Sequence, residues 1–227
     1  MTTPTLNRRP KTRHFVPALM LLAGTAAFGG IASDVTHHGP LAQADRMIAP
    51  FFHAHATPWL VLPASACSGL GDFRFLIPLA LAVGIWLIRR RQWRALASWT
   101  AGLLGIIVIC GALKSFFAIP RPSRFTLYTF GTGDGYTFPS GHTMGAVITS
   151  GLLVLLWMHL KPRAPAHRLA AGALTGLLGL LVAASLMYIG VHYLTDVLAA
   201  LALSLAWLGI LRWMLPPSPW SQPRRPA

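Results

Sequence analysis

The 227-residue sequence contains no glutamate, and its whole acidic content is five aspartates: Asp34, Asp45, Asp72, Asp134 and Asp196. Charged residues of either sign make up 11% of the chain, where a soluble domain carries roughly 25%. Water is therefore not its main solvent, and no glutamate is present to serve as a base. Cysteine is nearly absent: Cys67 and Cys110 sit in no metal or redox motif. A disulfide between them is conceivable, but isolated cysteines of this kind read as small apolar residues.

What the chain has instead is hydrophobic runs. They extend from Phe15 to Ser33, Phe75 to Ile88, Ala95 to Leu113, Thr143 to Leu160, Leu169 to Val191 and Val197 to Leu211. Most approach the roughly 20 residues that cross a bilayer as helix. The second is short, and the apolar stretch Trp59 to Leu70 lies just before it, so its limits are the least defined. The first could be read as a signal peptide, yet it exceeds the roughly 7–15-residue core of such a leader and reads as a membrane helix. The fold expected is all-α, a six-transmembrane helical bundle over 15–215, with a basic tail over 1–14 and a Pro-rich tail over 216–227.

Nineteen basic residues against five acidic ones give a net charge of +14, which on its own would suit a nucleic-acid partner. The distribution argues otherwise. Arg8, Arg9, Lys11 and Arg13 precede the first span; Arg89, Arg90, Arg91 and Arg94 separate the second and third; Lys161, Arg163 and Arg168 separate the fourth and fifth; Arg212, Arg224 and Arg225 follow the last. Basic residues on alternate loops mark the cytoplasmic side. Both termini are then cytoplasmic, all five aspartates lie outside, no nucleic acid is expected, and the location expected is the inner (cytoplasmic) membrane.

The segment between the first two spans holds "LAQADRMIAPFF", whose apolar spacing suits a helix lying along the interface. His37, His38, His53 and His55 flank it. Their spacing matches no metal motif, and they read as exposed or interfacial side chains.

Ionisable residues at the outer ends of the spans carry more information, because charge near lipid is costly unless it faces a partner or a cavity. Three clusters qualify: "KSFFAIPRPSR" with Lys114, Arg121 and Arg124; "PSGH" with Ser140, Gly141 and His142; and "GVHYLTD" with His192 and Asp196. Each has a plain structural reading. Lys114 could snorkel, Ser140 could cap a helix, and His192 with Asp196, four residues apart, could share a helix face. Together they are complementary. A helix N-terminus and cationic side chains suit a phosphate, and two histidines, one beside a carboxylate, supply a nucleophile and an acid.

The spacing of these three parts resembles the three-part signature of the type 2 phosphatidic acid phosphatase superfamily, over about Lys114 to Asp196. That resemblance implies a lipid phosphate substrate within the membrane and an extracytoplasmic site. It also implies a nucleophilic His192 oriented by Asp196, His142 as acid and base, and Lys114, Arg121, Ser140 and the Gly141 amide on the phosphoryl oxygens. No metal or other cofactor is implied. One position departs from the family: an arginine is expected six residues before the nucleophile, and Leu186 stands there, with Arg124 as a candidate replacement. The expected activity is hydrolysis of lipid phosphates or diphosphates such as undecaprenyl diphosphate. A phosphotransferase passing the phosphoryl group to another lipid or sugar, and a member that binds or moves lipid without hydrolysis, are the alternatives. The sequence says nothing of oligomeric state.

Overall fold

A computed structural model describes residues 12–122, 127, 135–160 and 164–215. Among them the chain is all-helical: α1 (Thr12–Thr36), α2 (Pro40–Ala54), α3 (Pro58–Gly69), α4 (Phe73–Arg89), α5 (Trp93–Phe117), α6 (Gly141–Leu160), α7 (Pro165–Tyr188) and α8 (Leu194–Met214). Six helical segments are long and apolar enough to cross a bilayer: His14–Thr36, Pro58–Arg89, Trp93–Phe117, Gly141–Leu160, Pro165–Tyr188 and Leu194–Met214.

The second of these corrects the sequence expectation. It begins at Pro58 rather than Phe75 and consists of two helices, α3 and α4, joined by a break at Leu70, Gly71 and Asp72. Two glycines and a helix-capping aspartate in "SGLGDF" explain the interruption, since Gly weakens a helix and Asp favours its N-cap. Asp72 does cap α4, accepting the amide of Arg74 at 2.7 Å.

α6 and α8 are the most buried of the spans and form the centre of the bundle. α1 lies along α8 with small residues at the contact: a Cβ on Gly24 would collide with the backbone of Ala202 and Ala206. Such close approach is how helices associate where no hydrophobic drive separates protein from lipid. α1 is thus packed into the bundle. Leucines of α7 such as Leu169, Leu174 and Leu180 are exposed, an arrangement that is stable only against lipid or another apolar surface.

α2 is the helix expected from "LAQADRMIAPFF". It is tied to the bundle through Asp45, whose two carboxylate oxygens accept the amide (3.1 Å) and hydroxyl (2.6 Å) of Thr195 in the first turn of α8. The four histidines around α2 are exposed; ring nitrogens of His37 and His55 lie 2.8 and 2.9 Å from carbonyls one turn back on the chain. Cys67 and Cys110 are both free, Cys110 packing its sulfur 3.3 Å from that of Met144.

α5 runs from the basic turn at Arg89 to Arg94 to Lys114 in its last turn. At ~1.5 Å per residue its 25 residues cover roughly 37 Å, so those arginines and Lys114 occupy opposite ends of the bundle. The same end as Lys114 receives the start of α6, the turn between α7 and α8, and the break between α3 and α4.

Candidate active site

The chain leaves α5 through Ala118, which adopts a left-handed conformation (φ 50°), and then runs beside the segment that precedes α6. Pro120 bridges Tyr136, and the Thr137 amide donates to Ile119 O at 2.8 Å. This pairing sets "IPRP" against "YTFPSGH". Lys114 locks the junction by donating to the carbonyls of Tyr136 (2.6 Å) and Thr137 (3.0 Å). Phe138, wholly buried, packs on Phe117 and Phe28 with ring centroids 4.8 and 6.1 Å away, and the bond to Pro139 is cis.

Ser140 does cap α6. Its hydroxyl accepts from the amide (3.3 Å) and hydroxyl (3.1 Å) of Thr143, while its own amide donates to Asp196 O at 3.1 Å. The first turn of α6, with Gly141 and His142 half-buried, is thereby held against the start of α8.

His192 and Asp196 meet, although not on one helix face. His192 lies in the turn ahead of α8, Tyr193 is the N-cap, and Asp196 in the first turn folds back to accept the Tyr193 amide at 2.8 Å. Asp196 Oδ2 also lies 3.1 Å from His192 Nδ1. Both side chains are essentially inaccessible. Three donors converge on Asp196 Oδ2 at the positive end of a helix.

The third donor was not foreseen. Thr137 donates its hydroxyl proton to Asp196 Oδ2, and its oxygen lies 2.8 Å from His192 Nδ1. With that one proton committed to the carboxylate, Nδ1 must carry the hydrogen that it shares between Thr137 and Asp196, which leaves the Nε2 lone pair unengaged. Burial pushes the imidazole down to about 4, an effect that nearby Arg121 and Lys114 reinforce and Asp196 opposes. His192 is therefore neutral at ordinary pH.

Arg121 sits beside this pair, donating from Nη1 to Val191 O at 3.3 Å. Its buried Nε has no hydrogen-bond partner among the described residues, a donor left open for an anion. His142 is met by Asp72 across the helix break, Nε2 to Oδ2 at 3.3 Å, a second contact not foreseen from sequence. Leu186 is 2% exposed and packs in an apolar cluster with Ala146, Val182, Ile189 and Val191. Arg124 lies outside the described residues.

Lys114, Arg121, Ser140, Gly141, His142, His192 and Asp196 thus belong to one connected end of the bundle. The sequence model of the PAP2 superfamily matches residues 93–220. The chain belongs to the PAP2 superfamily. Phosphatidylglycerophosphatase B of Bacillus subtilis strain 168 is 27% identical over 181 residues, covering 77% of this chain and 85% of that protein. A crystal structure described as the first transmembrane PAP2-type phosphatidylglycerolphosphate phosphatase, also from Bacillus subtilis, matches with a TM-score of 0.71 at 24% identity, over 88% of this chain and 95% of that one. The crystal structure of Aquifex aeolicus LpxE matches with a TM-score of 0.54 at 23% identity, over 74% and 93%. These two structures share the fold. The family expected from the three motifs is the one found, and the chain is a PAP2-type, multi-pass membrane lipid phosphatase.

Proposed function

We propose that the protein hydrolyses lipid phosphates or diphosphates on the extracytoplasmic face of the inner membrane through a phosphohistidine at His192. The observation that carries this reading is the buried His192 and Asp196 pair, whose hydrogen bonding leaves Nε2 of a neutral imidazole open beside the unpaired Nε of Arg121.

In the first step the Nε2 lone pair attacks phosphorus, the bond from phosphorus to the lipid oxygen breaks, and that oxygen takes a proton from His142. Asp196 and Thr137 hold the imidazole and offset the charge it gains. In the second step water attacks the phosphohistidine, giving its proton to His142; the P–N bond breaks and its electron pair returns to His192. Arg121, Lys114, the Ser140 hydroxyl and the Gly141 amide bear the charge that develops on the phosphoryl oxygens, each interaction strengthening as the transition state forms. These cationic and dipolar groups do the neutralising a metal would otherwise do, so no cofactor enters the scheme.

The outer face is supported by the position of the arginine-rich turn at Arg89 to Arg94, at the end of the bundle opposite the site, with basic residues favouring the cytoplasm. Both termini are then cytoplasmic. The names of the curated relative and of the larger structural match favour phosphatidylglycerol phosphate as the first substrate to try. Arg124 is proposed to supply the charge missing at Leu186.

The test is phosphate release by purified protein from phosphatidylglycerol phosphate, phosphatidic acid, undecaprenyl diphosphate and lipid A, with and without a second lipid as acceptor. Release without acceptor, abolished in His192→Ala, blocked by vanadate and indifferent to chelator, is expected. Release only with acceptor present would make the protein a phosphotransferase, and wild-type turnover in His192→Ala would overturn the mechanism.

A further inference from the structure

The break between α3 and α4 lies outside the region matched by the family and outside all three motifs, yet it reaches the site. Gly71 touches the first turn of α6 so closely that a Cβ there would collide with the backbone of His142. On the other side, Gly145 in the next turn of α6 leaves room for the carbonyl of Gly71 and the side chain of Leu76. Two glycines on facing elements therefore let the break nest into α6, and Asp72, next along the chain, meets the imidazole of His142 at 3.3 Å.

An N-cap needs one acceptor, and Asp72 meets that need with Oδ1 on the Arg74 amide. Oδ2 is left over, and it is the atom that faces His142. Both side chains are about one third exposed, so the pair is not sealed in the core. The other charged groups acting on His142 are cations, Arg121 and Lys114. Asp72 is the carboxylate that faces the ring, at 3.3 Å, and a carboxylate so placed favours the protonated form of an imidazole.

We propose that Asp72 is the positioning residue of the proton donor: its carboxylate holds His142 through one ring nitrogen, favours the protonated ring, and so presents its other N–H to the leaving lipid oxygen. This rests on the reading of His142 as acid and base. In the first step the proton passes from His142 to the oxygen released from phosphorus, leaving a neutral ring; in the second, the ring takes a proton from the attacking water. Asp72 keeps its charge throughout and touches neither phosphorus nor the leaving group. The first third of the chain thus contributes to chemistry otherwise confined to Lys114 through Asp196.

Asp72→Asn separates this role from capping, because Asn is as good an N-cap as Asp but carries no charge. On the lipid phosphate that the wild type turns over best, kcat should fall by roughly tenfold or more, as expected when general acid catalysis is weakened, while KM stays within about threefold. The alkaline limb of the kcat profile should move to lower pH, since the carboxylate that faces the ring and favours its protonated form is then gone. The melting temperature should stay at the wild-type value. Asp72→Glu, which keeps the charge, should retain the wild-type alkaline limb. An unchanged kcat and pH profile in Asp72→Asn, with His192→Ala inactive, would overturn the role of Asp72 alone. So would a loss confined to KM or accompanied by a lowered melting temperature with no pH shift. Activity in His192→Ala would instead overturn the reading on which the role rests.

Discussion

Thr137 Oγ1 lies 2.8 Å from His192 Nδ1 while donating its own proton to Asp196. The backbone carbonyl of the same residue accepts from Lys114. One threonine therefore joins the motif on α5, the segment before α6 and the turn before α8.

Removing that hydroxyl without changing shape should cost more than a hydrogen bond. Thr137→Val leaves a buried carboxylate and a buried imidazole each short of a partner, a loss of about 1–3 kcal/mol in stability. It should also lower kcat by one to two orders of magnitude with little change in KM, because Nδ1 loses one of the acceptors that fix the tautomer. Thr137→Ser should restore both. Urea or thermal melts in detergent together with kcat measurements check this, and equal activity in the valine and serine variants would count against it.

Leu186 occupies the place where the family resemblance calls for arginine, and among the described residues it packs in an apolar cluster with Ala146, Val182, Ile189 and Val191. Leu186→Arg should therefore reduce activity and lower stability by roughly 3–5 kcal/mol, the cost of an uncompensated buried charge. Arg124→Ala should be the more damaging change to turnover among variants that still fold. Folded yield, melting temperature and turnover of both single variants and the double variant decide the matter. A gain of activity in Leu186→Arg would mean that the pocket still accommodates the family's arginine.

Two buried groups near the start of α8 should titrate in opposite senses. Burial lowers His192 from 6.5 to about 4, so the unfolded chain binds a proton more readily; the stability this group contributes is complete above pH 6.5 and is lost as pH falls through 4. Burial raises Asp45 from 3.8 to about 6, against the bonds from Thr195, so its stability is complete below pH 3.8 and is lost as pH rises through 6. The two slopes oppose each other between pH 4 and 6. His192→Asn should become more stable, relative to wild type, on acidification across that window, and Asp45→Asn less stable. Melting temperatures of the three proteins between pH 4 and 7 test this; parallel curves would show that neither group is buried as described.

The bundle was legible because apolar length and alternating basic loops report directly on the bilayer. The motif residues were legible because charge at the end of a span has few purposes. Thr137, two residues ahead of "PSGH", carries no such signal, since a threonine next to a turn looks like any other until a partner 59 positions away is known. Asp72 was hidden by the second span, where "SGLGDF" blurred the helix limits; the two glycines that blurred them are what allow the close approach to α6. The shared-face reading of His192 and Asp196 failed because a four-residue spacing is compatible with a capping turn as well as with a helix, and spacing alone does not distinguish them.

The central claim is a covalent phosphate on His192, and trapping it is the most direct test. Purified protein would be mixed with a lipid phosphate radiolabelled in its terminal phosphoryl group, quenched in alkali during steady turnover, digested and mapped. The expected result is label that survives base, is lost in mild acid, and resides on the peptide containing His192, with none in His192→Ala. Label on a different residue, or undiminished turnover with no covalent label at any time point, would contradict it.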